Sequence, residues 1–155
     1  MSKHKFYLNL AREISKQSHC LRGNFGAVIV KHDMVLGIGY NGPARGVKHC
    51  EVCRRESEPS GLGYDKCIAV HAEANAVIQA GGRMHCLGAT LYLGTHNRPL
   101  AEQTNKYNEG MGYFSCGNCA RLMVNAGIIW FVQEETAGYI AEYDLPLLVQ
   151  EGKLF

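Results

Sequence analysis

The sequence predicts an α/β fold, a mixed sheet with helices packed on its faces. Three observations lead there. Apolar residues make up 46% of the 155 residues and charged residues 19%, the balance of a globular chain rather than a disordered one. The length suits one domain with one core. Helix-forming stretches also alternate with β-branched runs in the order α-β-β-α-β-α-β-α-β, the pattern of layered α/β domains.

The elements follow in turn. Residues 3–17 read as a helix, because Phe6, Tyr7, Leu10, Ala11 and Ile14 recur at helical spacing. GAVIVK at 26–31 and VLGIGY at 35–40, separated by a His32-Asp33 turn, read as a hairpin. Residues 41–66 hold Pro43, Pro59 and several glycines and read as loop. AVHAEANAVIQA is rich in helix formers and predicts a helix from near Val70 to about Ala80, ended by Gly81-Gly82. ATLYLG at 89–94 alternates as a strand, and residues 95–114 are polar with no clear period. A helix fits Gly117 to Ala126 with Gly127 as its cap, and IIWFV at 128–132 reads as a buried strand. A weaker helix at 135–143 and a short strand at 147–150 complete the expectation.

Bulk properties exclude several function classes. The net charge is +2 and no basic run stands out, so a grip on long nucleic acid is not expected. No segment approaches the roughly 20 apolar residues of a membrane helix. The N-terminal stretch is a poor signal peptide, its apolar positions being broken by charge. The expectation is a cytoplasmic protein. Seven cysteines, an odd number, occur at 20, 50, 53, 67, 86, 116 and 119. In a chain without a leader they argue for metal rather than a disulfide framework.

Chemistry concentrates in two motifs. His71-Ala72-Glu73 stands at one predicted helix start and Cys116-Gly117-Asn118-Cys119 at another. A catalytic zinc takes three protein ligands and keeps its fourth position open. One imidazole and two thiolates fill that role. At a helix start the first cysteine precedes the helix and the second lies in its first turn, so both sulfurs face one point and the helix dipole favours the thiolates. Zinc so held activates water at neutral pH. Glu73, two residues from His71, is too close to be a comfortable fourth ligand and well placed to move protons. H-x-E followed by P-C-x-x-C is the signature of zinc deaminases, with the glutamate as acid and base. Here Ser115 stands at the proline position.

The stretches Gly26-Ala27-Val28-Ile29-Val30, Gly39-Tyr40-Asn41-Gly42, His71-Ala72-Glu73-Ala74-Asn75-Ala76-Val77-Ile78, Ala89-Thr90-Leu91-Tyr92 and Cys119-Ala120-Arg121-Leu122 resemble the deoxycytidylate (dCMP) deaminases. The resemblance implies a cytidine-deaminase-like three-layer α/β/α fold with a mixed five-stranded sheet. It implies hydrolysis of dCMP to dUMP and ammonia, feeding thymidylate synthesis. By the family pattern Asn41 binds the deoxyribose, the Ala72 N–H meets the base carbonyl, and Arg22 and Asn24 lie where sugar and phosphate contacts fall. It further implies a homo-oligomer with dCTP and dTTP as effectors. Taken alone, Asn41 also reads as a turn residue before Gly42, and Arg22 as a surface cation.

Some phage members of that family carry a second, structural zinc. Cys20 and Cys50 occupy two of its ligand positions, and Cys53 and Cys67 would complete a Cys₄ site, with His49 as the substitute ligand. Such a site would pin a long loop of little apolar content. Free, reduced thiols are the alternative. Cys86 is expected in the core or a loop.

The single domain, 1–155, departs from the family at Ser115 and again between its two motifs. His71 and Cys116 lie 45 positions apart, where the family has a short turn. An insertion at 96–113 accounts for the excess. It reads as a lid over the pocket, a surface excursion or an oligomer contact. It also motivates a different substrate: another nucleoside, a modified or triphosphorylated cytidine nucleotide, or a purine. A non-catalytic zinc-binding module is the rival outside enzymes, and Glu73 discriminates.

Overall fold

A computed structural model describes residues 1–59, 62–97, 115–136 and 138–154. Helix α1 (Lys3–Ser15) begins at Ser2, whose hydroxyl accepts from the Lys5 N–H at 3.2 Å, a side-chain N-cap. Strand β1 (Phe25–Lys31) turns through His32 and Asp33, both at positive φ (50° and 63°), into the antiparallel β2 (Met34–Tyr40). Two consecutive left-handed residues make the tight turn that matches strand twist. The Tyr7 hydroxyl donates to Asp33 Oδ1 at 2.9 Å and ties this turn to α1.

Strand β3 (Gly42–Pro43) pairs with β4 (Ala69–Val70), Gly42 opposite Val70. This short ribbon closes the 44–68 loop and sets His71 beside the end of β2. Helix α2 (Ala72–Gln79), the short α3 (Arg83–Cys86), β5 (Thr90–Thr95), α4 (Gly117–Asn125) and β6 (Trp130–Thr136) follow. The five-stranded sheet runs β2-β1-β5-β6, then a last strand β7 (Tyr139–Asp144) at the edge. β5 and β6 are parallel and the other neighbours antiparallel. The sheet is therefore mixed, as expected, because α4 supplies the crossover that a parallel pair requires.

Two apolar clusters make the three layers. Tyr7, Leu8, Ala11 and Ile14 of α1 pack with Val28, Val30, Tyr92 and Val132 on one face. Ala76 of α2, Ala120 and Met123 of α4, and Ile29, Leu91 and Phe131 of the sheet fill the other, with Cys86 fully buried among them. β2 bears α2 at very close range. A Cβ at Gly39 would stand 2.3 Å from Ala72 O and 2.4 Å from Ala76 N, and one at Gly37 2.5 Å from Ala76 O. Only glycine lets the helix lie this near the strand. The Asn75 amide donates to Tyr40 O at 2.8 Å and locks the same contact.

The C-terminal expectation is inverted. The predicted helix at 135–143 is strand β7, and the predicted strand at 147–150 is helix α5 (Leu145–Gln150). Gly138, at φ 91°, turns the chain back on β6, and Tyr139, Ile140 and Tyr143 suit a pleated strand. Asp144 then caps α5 by accepting from Leu147 N at 2.9 Å, with Pro146 in the first turn. Among the described residues no helix is long and apolar enough to cross a membrane.

Candidate metal centre and active site

The two motifs meet because both helices point their N-termini to one place. His71, in extended backbone, is the N-cap of α2, Cys116 is the N-cap of α4, and Cys119 lies in the first turn of α4. His71 Nδ1 is 3.3 Å from Cys116 Sγ and 3.4 Å from Cys119 Sγ. Among the described residues these three form the one group of His, Cys, Asp or Glu whose donor atoms all fall within 4.8 Å of one another.

The donor set passes a geometric test for zinc. Tetrahedral ligands at ordinary Zn–N and Zn–S lengths stand about 3.6 Å apart, close to the separations seen. The electrostatics agree. Burial pulls the His71 imidazole down, but the hydrogen bond to Cys116 and the charges of Glu73 and Cys116 outweigh it and hold it at about 9. A hydrogen bond from Cys119, with His71 adding to it against the cost of burial, brings the Cys116 thiol down to about 4. Cys119 is pushed up by the thiolate it bonds to and by burial. A cation bound by these three donors would displace the protons of His71 and Cys119.

Glu73 is 4% exposed, in the first turn of α2 where the helix dipole favours a carboxylate. Its Oε1 accepts from the Ser115 hydroxyl at 2.5 Å. Ala72, fully buried, is the first helical residue, so its N–H has no intrahelical acceptor.

The side chains predicted to meet sugar and phosphate, Asn41, Asn24 and Arg22, bond other protein groups. Asn41 is 7% exposed; its amide donates to Gly23 O at 2.8 Å and its Oδ1 accepts from Phe25 N at 2.8 Å. Asn24 donates to Ser18 O at 2.5 Å and exchanges hydrogen bonds with Asn97. Arg22 donates to the carbonyls of Arg55 and, at 2.6 Å, Glu58. These residues shape the loops around the site. Of the 96–113 insertion, His96 bonds Ser15 at 2.9 Å and Asn97 meets Asn24; 98–113 lies outside the described residues.

Cys20, Cys50, Cys53 and Cys67 line one cavity of about 40 Å³ together with His19 and His49. The two histidine rings are 4.9 Å apart. The cavity gathers all six donors from two segments, His19 and Cys20 before β1 and the rest from the 44–68 loop, with the four cysteines outside disulfides and not drawn to the spacing of the His71 cluster.

Spacing alone gave no role to Tyr64 or Arg55. The Tyr64 and His71 rings meet edge to face with centroids 5.2 Å apart, and the Arg55 guanidinium lies over the Tyr64 ring, 4.0 Å from its centroid. Arg55, itself buried, also donates to Leu62 O at 2.8 Å. A lone aromatic near a ligand histidine in a polar loop was the available signal.

Comparison with known proteins agrees with this geometry. The family described as "Cytidine and deoxycytidylate deaminase zinc-binding region" matches residues 1–133. A deoxycytidylate deaminase of Mycobacterium phage D29 is 38% identical over 96 residues, 57% of this chain and 74% of that protein. The deoxycytidylate deaminase of Schizosaccharomyces pombe is 34% identical over 58% of this chain but only 29% of its own length. Among solved structures, the dCMP deaminase of cyanophage S-TIM5 in apo form superposes with a TM-score of 0.59 at 22% identity, over 89% of this chain and 88% of that one. At that identity the likeness speaks for the fold.

Proposed function

The chain belongs to the cytidine and deoxycytidylate deaminase zinc-binding family, and on that premise we propose that it hydrolyses dCMP to dUMP and ammonia. The observation that carries the reading is the buried carboxylate of Glu73 one turn from a His71, Cys116, Cys119 cluster at zinc spacing. Those three side chains would hold the metal, which when bound supplies an activated water nucleophile. Glu73 moves the protons. It takes one from the attacking water, delivers it to ring N3, and carries the second to the departing amine, so that the C4–N bond breaks, a C4 carbonyl remains and ammonia leaves. The Ala72 N–H at the helix start is placed to donate to the base carbonyl. Asn41, Asn24 and Arg22 build the wall beside the sugar and phosphate, holding the 18–25 loop in place through the backbone bonds described above.

Ammonia release from a panel of nucleosides and nucleotides tests the substrate. Preference for dCMP is expected; a strong preference for a triphosphate or a purine refutes it. Glu73→Gln should keep zinc and lose turnover, and normal turnover in that variant rules the mechanism out. The same reading includes a second, structural zinc among Cys20, Cys50, Cys53 and Cys67, supported by their common cavity. It also includes a cytoplasmic homo-oligomer that responds to dCTP and dTTP. Ile78, Met84 and Leu87, exposed on and after α2 and α3, are apolar surface suited to such an assembly.

A further inference from the structure

The residue before Cys116 departs from the deaminase signature, which has proline there. Proline offers no side-chain polar atom and no N–H. Ser115 offers a hydroxyl, and the fold places it against the proton-carrying carboxylate. Its Oγ lies 2.5 Å from Glu73 Oε1, across 42 positions of sequence, with the two residues 2% and 4% exposed. The Ser115 hydroxyl donates and the Glu73 oxygen accepts. A hydrogen bond shielded from water is electrostatically stronger than the same bond at the surface.

We infer that Ser115 is a positioning residue for deamination: its hydroxyl holds one carboxylate oxygen of Glu73 and leaves the other aimed at the reacting groups. This rests on the proton-carrying role given to Glu73 above. Three side-chain torsions separate that carboxylate from the α2 backbone, and a buried glutamate without a fixed partner has several rotamers to choose from. Ser115 directly precedes Cys116, the N-cap of α4. Anchoring Glu73 there couples the proton carrier to the element that supplies both thiolates, so the two keep one relative position. The bond does for Glu73 what a supporting hydrogen bond does for a metal-ligating histidine.

The test uses the zinc-loaded full chain with Ser115→Ala and Ser115→Thr. Ser115→Ala should retain zinc and keep KM for dCMP within about twofold, while kcat falls about tenfold to a hundredfold. Ser115→Thr, which restores a hydroxyl, should recover most of kcat. In crystal structures, the Glu73 carboxylate should leave its wild-type place in the alanine variant and hold it in the threonine variant. Unchanged kcat in Ser115→Ala, loss of zinc in step with activity, or an undisturbed Glu73 in that variant each overturn the inference. If the wild-type chain releases no ammonia from dCMP, the substrate reading fails, and the place of Glu73 in the two variants still decides the role of Ser115.

Discussion

Gly39→Ala should disable the site from the opposite side of the helix that bears it. The new Cβ would meet Ala72 O at 2.3 Å, Ala76 N at 2.4 Å and Asn75 C at 2.9 Å. All three are backbone atoms, so no rotamer change relieves the clash. Ordinary carbon contacts begin near 3.5 Å, so α2 must retreat by roughly 1 Å. Overpacking of this kind costs about 2–3 kcal/mol, which for a domain of this size lowers Tm by about 5–10 °C. His71 caps α2 and Glu73 sits in its first turn, whereas Cys116 and Cys119 ride on α4. The retreat therefore opens the 3.3 and 3.4 Å separations between His71 and the two sulfurs. A misplacement of about 1 Å corresponds to a loss near 100-fold in rate. Differential scanning calorimetry, zinc analysis and ammonia release on one preparation read all three effects. Gly42→Ala is the control: nothing lies within 4 Å of a Cβ there, so its stability should move by no more than about 0.5 kcal/mol. If Gly39→Ala melts and turns over like the wild type, the close approach of α2 to β2 is not what positions the site.

Zinc uptake should release about two protons per ion near neutral pH, one from His71 and one from Cys119, because Cys116 alone enters as thiolate. His71 keeps its proton up to about 9, so zinc affinity should climb as pH rises towards 9 and weaken as pH falls; calorimetry in buffers of different protonation heat would expose a release near zero, the contrary result. Metal analysis should find about two zinc ions per chain, falling to about one when Cys50 and Cys53 are both changed to Ser, and a wild-type value near one refutes the second site. Asn41→Asp keeps the acceptor for Phe25 N but turns an oxygen towards Gly23 O, where the amide donates now. It should lose about 1–3 kcal/mol of stability, and unaltered thermal unfolding would show that these bonds do not hold the loop.

Some features could be read from sequence because their physics is local. The H-x-E and C-x-x-C spacings place donors at helix starts, and helix starts follow from a few neighbouring residues. The His71, Glu73, Cys116 and Cys119 constellation needed only that step and the family resemblance. The β1–β2 hairpin and the β5 strand followed from β-branched runs of the right length. Residues 135–150 did not, since whether Tyr139–Asp144 becomes strand or helix is decided by pairing with β6, a partner that local propensity does not include.

Other features belong to the tertiary structure alone. Gly37 and Gly39 look like weak points in a strand until α2 is seen to lie against them. Asn41 looks like a turn residue or a sugar ligand, and the fold adds bonds from its side chain to Gly23 O and the Phe25 N–H at the start of β1. Ser115 looks like the loss of a proline until Glu73, 42 positions away, is found in contact with its hydroxyl. The sequence by itself determined which atoms can bind a metal and carry a proton, because residue type and short spacing settle that. Only the packing of α2 and α4 on one sheet decided how those atoms are held, because the contacts that hold them join segments far apart in the chain.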